Sequence, residues 1–235
     1  MSHIDRKHLI RGILMSIVFI IILAVMFSPV FNGHNAFKAA DALFNSIAKG
    51  STYYVESLKT ETEEFKGTFI DVSIDIKEAR AAENAHKILE EAGASVRRNG
   101  EKLSVSGDMG TIISSVLTDA DNMFYNRGEK VSEKYGIEEK LALYTWWSVF
   151  RQIEDALKDQ KKFKQAAFFA RVKDRGIEVG YNFYGIQPES ITSKIGITIF
   201  ALVFYVFYTL WWGYAIFFMA EGLGLALTHG SKKEV

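Results

Sequence analysis

Two long stretches of this chain carry no charge, one near each end, and they limit what it can fold into more than any other feature. The first is Gly12 to Phe31, "GILMSIVFIIILAVMFSPVF", twenty residues without a charged side chain. As a helix it would reach roughly 30 Å, the thickness of a bilayer's hydrocarbon core. A cleaved signal peptide would have a shorter apolar region and then a small-residue cleavage site. This run is longer and ends in "SPVFNG", so a retained anchor is expected. The second stretch begins after Lys194 and meets no charge until Glu221. Its 26 residues could span about 39 Å, one tilted crossing. The apolar character resumes as "GLGLAL" and ends in "THGSKKEV", too short a stretch for a further crossing with a turn.

The basic residues beside the two runs set an expected orientation. Arg6, Lys7 and Arg11 precede the first and Lys232 and Lys233 follow the second, while the segment after the first run offers only Lys38 and Lys49. Basic flanks stay in the cytoplasm, so both tails are expected there. The expected layout is a cytoplasmic tail (1–11), a transmembrane helix (12–31), an extracytoplasmic domain (32–194), a second transmembrane helix (195–220) and an interfacial or cytoplasmic tail (221–235). A bacterial inner membrane suits this layout. Pro29 and Pro188 sit at the outer ends of the two spans, where a helix can be broken or redirected.

The middle segment reads as an α+β domain, a small sheet with covering helices, held between the two transmembrane α-helices. Helical spacing over Phe37, Leu43 or Phe44, Ile47, Tyr54 and Leu58 is interrupted at Gly50, which predicts one broken helix or two short ones. "TFIDVSIDI" alternates Ile70, Val72, Ile74 and Ile76 against Asp71, Ser73 and Asp75, a strand with one buried face. "KEARAAENAHKILEEAG" predicts a helix with an Ala82–Ala85–Leu89 stripe and Gly93 as its C-terminal cap. Asn99-Gly100 predicts a two-residue hairpin that pairs Arg98 with Glu101, Val96 with Leu103 and Ala94 with Val105. A helix follows from Thr111 to about Tyr125. Leu143, Trp146, Trp147, Phe150, Ile153 and Leu157 mark the core face of another, and a third is expected near Ala166–Val172. Ile177, Val179, Tyr181 and Phe183 alternate, which predicts a last strand, with a hairpin around Asp174–Gly176 as the other reading.

Several kinds of chemistry are disfavoured. Lys plus Arg and Asp plus Glu both number 28, so the basic surplus of a general nucleic-acid binder is missing. The chain has no cysteine, which excludes iron–sulfur clusters and cysteine-ligated zinc. No two of its five histidines stand at a metal-binding spacing, and His86 reads as a surface or partly buried residue. Asp71 with Asp75, Asp119 with Asp121, and Glu61, Glu63 and Glu64 read as charges on solvent faces. No G-x-S-x-G, Walker-type or G-x-G-x-x-G motif occurs, and "GDMGT" reads as a helix entry. No catalytic residue, metal or cofactor is therefore expected.

The second apolar run has an unusual interior. Phe200, Phe204, Phe207, Trp211, Tyr214 and Phe218 recur at steps of four and three, and Tyr205, Tyr208 and Trp212 occupy a neighbouring side. Tryptophan and tyrosine normally gather at the membrane–water interface. Centred near Tyr208, this crossing would hold hydroxyls and indole N–H groups in hydrocarbon, where lipid offers no hydrogen-bond partner. Such rings suit contact with another protein helix or a bound cofactor, and a partner helix is expected through Phe204, Tyr205, Phe207, Tyr208, Trp211, Trp212, Tyr214 and Phe218. At the inner end Ala220, Gly224 and Thr228 are spaced by four, as are Gly222, Ala226 and Gly230, and small residues at that spacing allow close helix approach. Ala220 and Gly224 join the expected partner-binding set, and Glu221 reads as a hydrated helix-end residue.

Together these features suggest a non-catalytic accessory, assembly or stabilising subunit of a larger membrane complex of transporter or respiratory type. Its expected partners are membrane lipid and an integral-membrane protein or a second copy of the chain, with no nucleic acid. The alternative is an extracytoplasmic sensor or ligand-binding module that regulates a membrane partner. With so little sequence expected on the cytoplasmic side, it would signal laterally through its helices.

Overall fold

A computed structural model of the chain describes residues 5–31 and 33–225. These residues are mostly helical, with a three-stranded sheet and two helices long and apolar enough to cross a membrane. In chain order the first elements are α1 (Arg6–Phe27), α2 (Ala36–Ser51), α3 (Val55–Thr62), β1 (Phe69–Asp75) and α4 (Ala79–Glu91). Next come β2 (Ser95–Asn99), β3 (Lys102–Asp108), α5 (Met109–Phe124), α6 (Glu129–Tyr135) and α7 (Glu139–Asp159). The last helices are α8 (Phe163–Val172), α9 (Glu178–Phe183) and α10 (Ile191–Gly222). The chain divides into two compact units, residues 1–47 with 189–235, and Ala48–Pro188.

In the first unit α1 and α10 form an antiparallel pair. Asp5 caps α1 by accepting the backbone N–H groups of Lys7 and His8, and the helix stops at Phe27, where Pro29 holds Ser28 extended. The backbones touch at two glycines. A Cβ on Gly222 would lie 2.4 Å from the Leu9 nitrogen, and one on Gly12 would lie 2.6 Å from the Met219 nitrogen. Only 6% of the apolar window of α1 and 0% of that of α10 is buried within the chain. Neither is therefore a core helix of this chain's own fold, whose apolar side chains would be covered.

The second unit is built on β1, β3 and β2, in that spatial order and antiparallel at both pairings. The alternation along β1 is realised: Ile70, Val72 and Ile74 are buried, and Asp71, Ser73 and Asp75 are exposed. Ala82, Ala85 and Leu89 of α4 are fully buried, and Gly93, at φ 85°, follows the helix as its capping residue. Leu143, Trp146, Phe150, Ile153 and Leu157 of α7 lie in the core, and Trp147 is half-buried at its border. α7 also seals the β1 edge. The Gln152 side chain bonds both the N–H and the C=O of Asp75, and Gln160 donates to the Asp71 carbonyl, leaving fewer free groups for another strand.

Two expectations are corrected. The hairpin pairs Asn99 with Lys102 and Val96 with Val105, not Arg98 with Glu101 and Val96 with Leu103. The turn residues are Gly100 and Glu101, with positive φ at Gly100 alone, as a type II′ turn requires. Moving the turn by one residue changes each partner by two positions, so the same side chains still face the core. The second correction concerns 177–183, which is neither a strand nor half of a hairpin. α8 runs through a π-helical turn at Lys173–Ile177 into α9. The buried positions are Gly176, Ile177 and Gly180, a helical spacing in place of the alternation. A Cβ on Gly180 would lie 2.8 Å from the Ala120 carbonyl oxygen, so the four-residue glycine step seats this helix on α5.

Candidate functional site

α10 divides its aromatic residues between two directions. Phe204, Tyr208, Trp211, Trp212 and Phe218 turn toward α1 or stand in a ring column leading to it. Tyr208 stacks on Phe19 with centroids 4.1 Å apart, and Trp212 packs on the same ring at 4.5 Å. Phe200, Phe204 and Tyr208 stack in sequence along α10. The Tyr208 hydroxyl donates to the Phe19 carbonyl at 3.1 Å, and the Trp211 indole N–H donates to the Met15 carbonyl at 3.0 Å. Two polar tips of the aromatic set are thus satisfied by the backbone of the chain's own first helix, an acceptor that the sequence pattern did not reveal. Phe218 stacks on His8 with centroids 5.6 Å apart.

The other three point away from α1. Tyr205 is 68% exposed, Phe207 69% and Tyr214 58%. Among the described residues no hydrogen bond reaches the hydroxyl of Tyr205 or Tyr214, and the Trp212 indole N–H also has none. Gly224, at φ 76°, ends α10: its N–H bonds the Glu221 carbonyl while that of Leu225 reaches back to Ala220. This is a Schellman cap, which places a glycine there for a conformational reason. Ala220 is half-buried. The close helix approach falls on Gly222 and on Gly12, whose small partner four residues on, Ser16, lies at the same contact beside Met219. Thr228, Ala226 and Gly230 lie outside the described residues. Glu221 is partly exposed, with an oxygen 3.8 Å from His8 Nδ1.

The second unit holds two polar clusters that sequence reasoning missed. Asp119 was expected on a solvent face, but it is only 1% exposed. Its carboxylate accepts from Lys134 Nζ at 2.9 and 3.1 Å, the Tyr135 hydroxyl at 2.5 Å and the Trp146 indole at 3.3 Å. Burial lifts its carboxyl above the ordinary range, against the opposing pull of the Lys134 ammonium and the tyrosine and indole donors. The network joins α5, α6 and α7, and a buried charge is tolerable when fully bonded in this way. Lys49 is the second case, at 2% exposed. Its ammonium donates to the carbonyls of Phe183 and Ile186 and to Asn126 Oδ1, and it lies 5.0 Å from the Phe124 ring centre. Burial lowers its pKa.

The other singled-out groups are engaged in structural contacts. Asp121 accepts from Tyr53 and Arg127. Glu61 pairs with Arg171, Glu63 with Lys66 and Glu64 with Lys164. His86 pairs with Glu90 one turn along α4. Asp108, in "GDMGT", caps α5 by accepting the Thr111 N–H and also accepts that of Gly67. Among the described residues no three His, Asp or Glu side chains stand close enough together to hold a metal ion. Comparison with protein-family models, curated proteins and solved structures finds no match to this chain.

Proposed function

We propose that this is a two-span integral-membrane protein that acts as a non-catalytic accessory, assembly or stabilising subunit of a larger membrane complex, docking through the faces of α10 that α1 leaves open. In this reading both termini are cytoplasmic, residues 32–194 form an extracytoplasmic domain, and the membrane is a bacterial inner membrane. The observation that carries the docking is the pair of hydroxyls on Tyr205 and Tyr214, without a hydrogen bond among the described residues and exposed on opposite flanks of α10 that α1 does not cover, Tyr214 on the same flank as Phe207. In hydrocarbon each would lack an acceptor, and a neighbouring helix supplies one. That Tyr208 and Trp211 bond to carbonyls of α1 supports the same solution for the outward pair. The docked chain is another integral-membrane protein or a second copy.

The test is purification from native membranes in mild detergent, with identification of the chains that accompany the protein. Wild type is compared with a Tyr205→Leu/Phe207→Leu/Tyr214→Leu variant. A companion chain retained by wild type and lost from the variant is the expected result. A lone wild-type monomer, or unchanged recovery of the companion, overturns the docking. Because the chain has no cysteine, single cysteines at Lys7 and Lys59 test the topology with a membrane-impermeant maleimide. Labelling of position 59 but not 7 in intact cells is expected, and the reverse pattern overturns the orientation.

A further inference from the structure

Lys140, Tyr144, Trp147 and Arg151 follow one another along α7 at steps of four, three and four, so they form one stripe on the helix. The Tyr144 and Trp147 rings stack with centroids 6.1 Å apart and planes 15° from parallel. They wall one side of a cleft of about 210 Å³, with Glu178, Tyr181 and Asn182 on the other side. Glu178 holds the indole in place by accepting its N–H at 2.7 Å. That carboxylate is therefore turned onto Trp147, and the cleft is lined almost wholly by apolar and aromatic surface.

The rim carries the opposite charge. The Lys140 ammonium lies 5.7 Å from the centre of the Tyr181 ring, and the Arg151 guanidinium lies 5.7 Å from that of Trp147. Both cations are solvent-exposed, whereas the half-buried Lys134 and Lys173 are held by Asp119 and Glu154. Lys140 and Arg151 have neither an ion pair nor a hydrogen bond among the described residues, and the Asn182 side-chain amide is likewise unbonded. Ring walls, two unpaired cations and a free amide suit one kind of guest.

We infer that this cleft binds a small aromatic carboxylate, its ring against Tyr144, Trp147 and Tyr181 and its carboxylate drawn to Lys140 and the Asn182 amide at the Tyr181 end, with Arg151 adding positive charge beyond Trp147 at the other. A ring finds offset-stacking and edge contacts there that an aliphatic chain of equal size does not. The two rim cations repel an ammonium ligand and attract an anion. The volume is below the roughly 300–1,000 Å³ of sites for drug-sized ligands, so a one-ring compound is the fitting size. The inference concerns Ala48–Pro188 alone and stands or falls independently of docking by α10.

The experiment uses the full chain in detergent micelles and follows binding by saturation-transfer NMR. Phenylacetate is the probe, with phenethylamine and cyclohexylacetate as comparators. Phenylacetate is expected to bind saturably with a Kd on the order of a millimolar. Phenethylamine and the Lys140→Gln/Arg151→Gln variant each weaken binding about tenfold, and cyclohexylacetate binds more weakly than phenylacetate. Trp147→Ala abolishes binding. Should that variant fail to fold, the double variant at two exposed positions still decides the matter. Absence of saturable phenylacetate binding, equal binding of phenethylamine, or full affinity in the double variant overturns the inference.

Discussion

Replacing Asp119 by alanine tests whether the polar network under α5, α6 and α7 holds the second unit together. The substitution removes one acceptor from three donors at a position 1% exposed. Lys134 is 27% exposed and keeps a hydrogen bond to Ser115 Oγ at 2.9 Å, so its ammonium can turn to water at small cost. The Trp146 indole keeps the Tyr135 oxygen at 3.3 Å as an acceptor. The Tyr135 hydroxyl, fully buried, loses Asp119 as its acceptor, and its remaining polar neighbours are the Trp146 indole N–H, itself a donor, and the Ser115 hydroxyl, which already accepts from Lys134. A buried donor left unsatisfied costs about 1–3 kcal/mol. With the lysine free to turn to water, that donor is the main loss, so roughly 2 kcal/mol is expected. That is a substantial share of the ~5–15 kcal/mol that stabilises a typical domain, and it lowers the melting temperature of a unit this size by roughly 6 °C. The assay is unfolding of the full chain in detergent, followed by near-ultraviolet circular dichroism. Tyr135→Phe keeps the carboxylate with its lysine and indole donors and should cost only about 1 kcal/mol. An Asp119→Ala loss below about 1 kcal/mol would refute the reasoning, because the donors would then be satisfied without the carboxylate.

The same residue has a pH signature. Its folded pKa is raised above 3.8 by burial, so between 3.8 and the raised value the folded chain holds a proton that the unfolded chain has released. Stability from this group therefore falls as pH rises through that window. Subtracting the unfolding free energy of Asp119→Asn from that of wild type should give a negative slope, and a positive one contradicts the burial argument. In the first unit, Gly222→Leu places a side chain where a Cβ already meets the Leu9 backbone at 2.4 Å. It should disfavour the α1–α10 pair by about 1–3 kcal/mol. Disulfide formation in a Ser16→Cys/Met219→Cys background, where the native atoms are 3.6 Å apart, should slow accordingly, and an unchanged rate speaks against close packing. Tyr208→Phe removes one interhelical hydrogen bond while keeping the stack on Phe19, and should weaken the same pair by only about 0.6 kcal/mol.

The parts of the fold that could be read from sequence are those in which one element declares itself. β1 shows a strict alternation, α4 a small-residue stripe and α7 a long apolar face, and each depends on the period of its own backbone. Readings failed where two elements had to be weighed against each other. Ile177, Val179, Tyr181 and Phe183 alternate as a strand would, yet Gly176 and Gly180 can lie against α5, and that tertiary contact decides for a helix. The hairpin turn moved by one residue because Gly100 suits the first turn position as well as the second, and the apolar pattern is the same in both registers. Asp119 looked like any surface carboxylate because its three donors come from residues 15 to 27 positions away. On α10 the spacing of the rings was plain. Their division into a side seated on α1 and a side turned outward depends on Gly12 and Phe19, about 190 to 210 positions earlier in the chain.

Lys49 stands near the first residue of its unit, and the carbonyls it grips at Phe183 and Ile186 stand near the last. The clasp holds the two chain ends of Ala48–Pro188 at one spot, so the unit is closed on itself like a bead with a single opening. Such a unit can be cut out at that opening and set into a surface loop of an unrelated carrier without stretching either strand of the joint. Tension applied through both ends would reach this amine and its oxygens before it reached the hydrophobic interior.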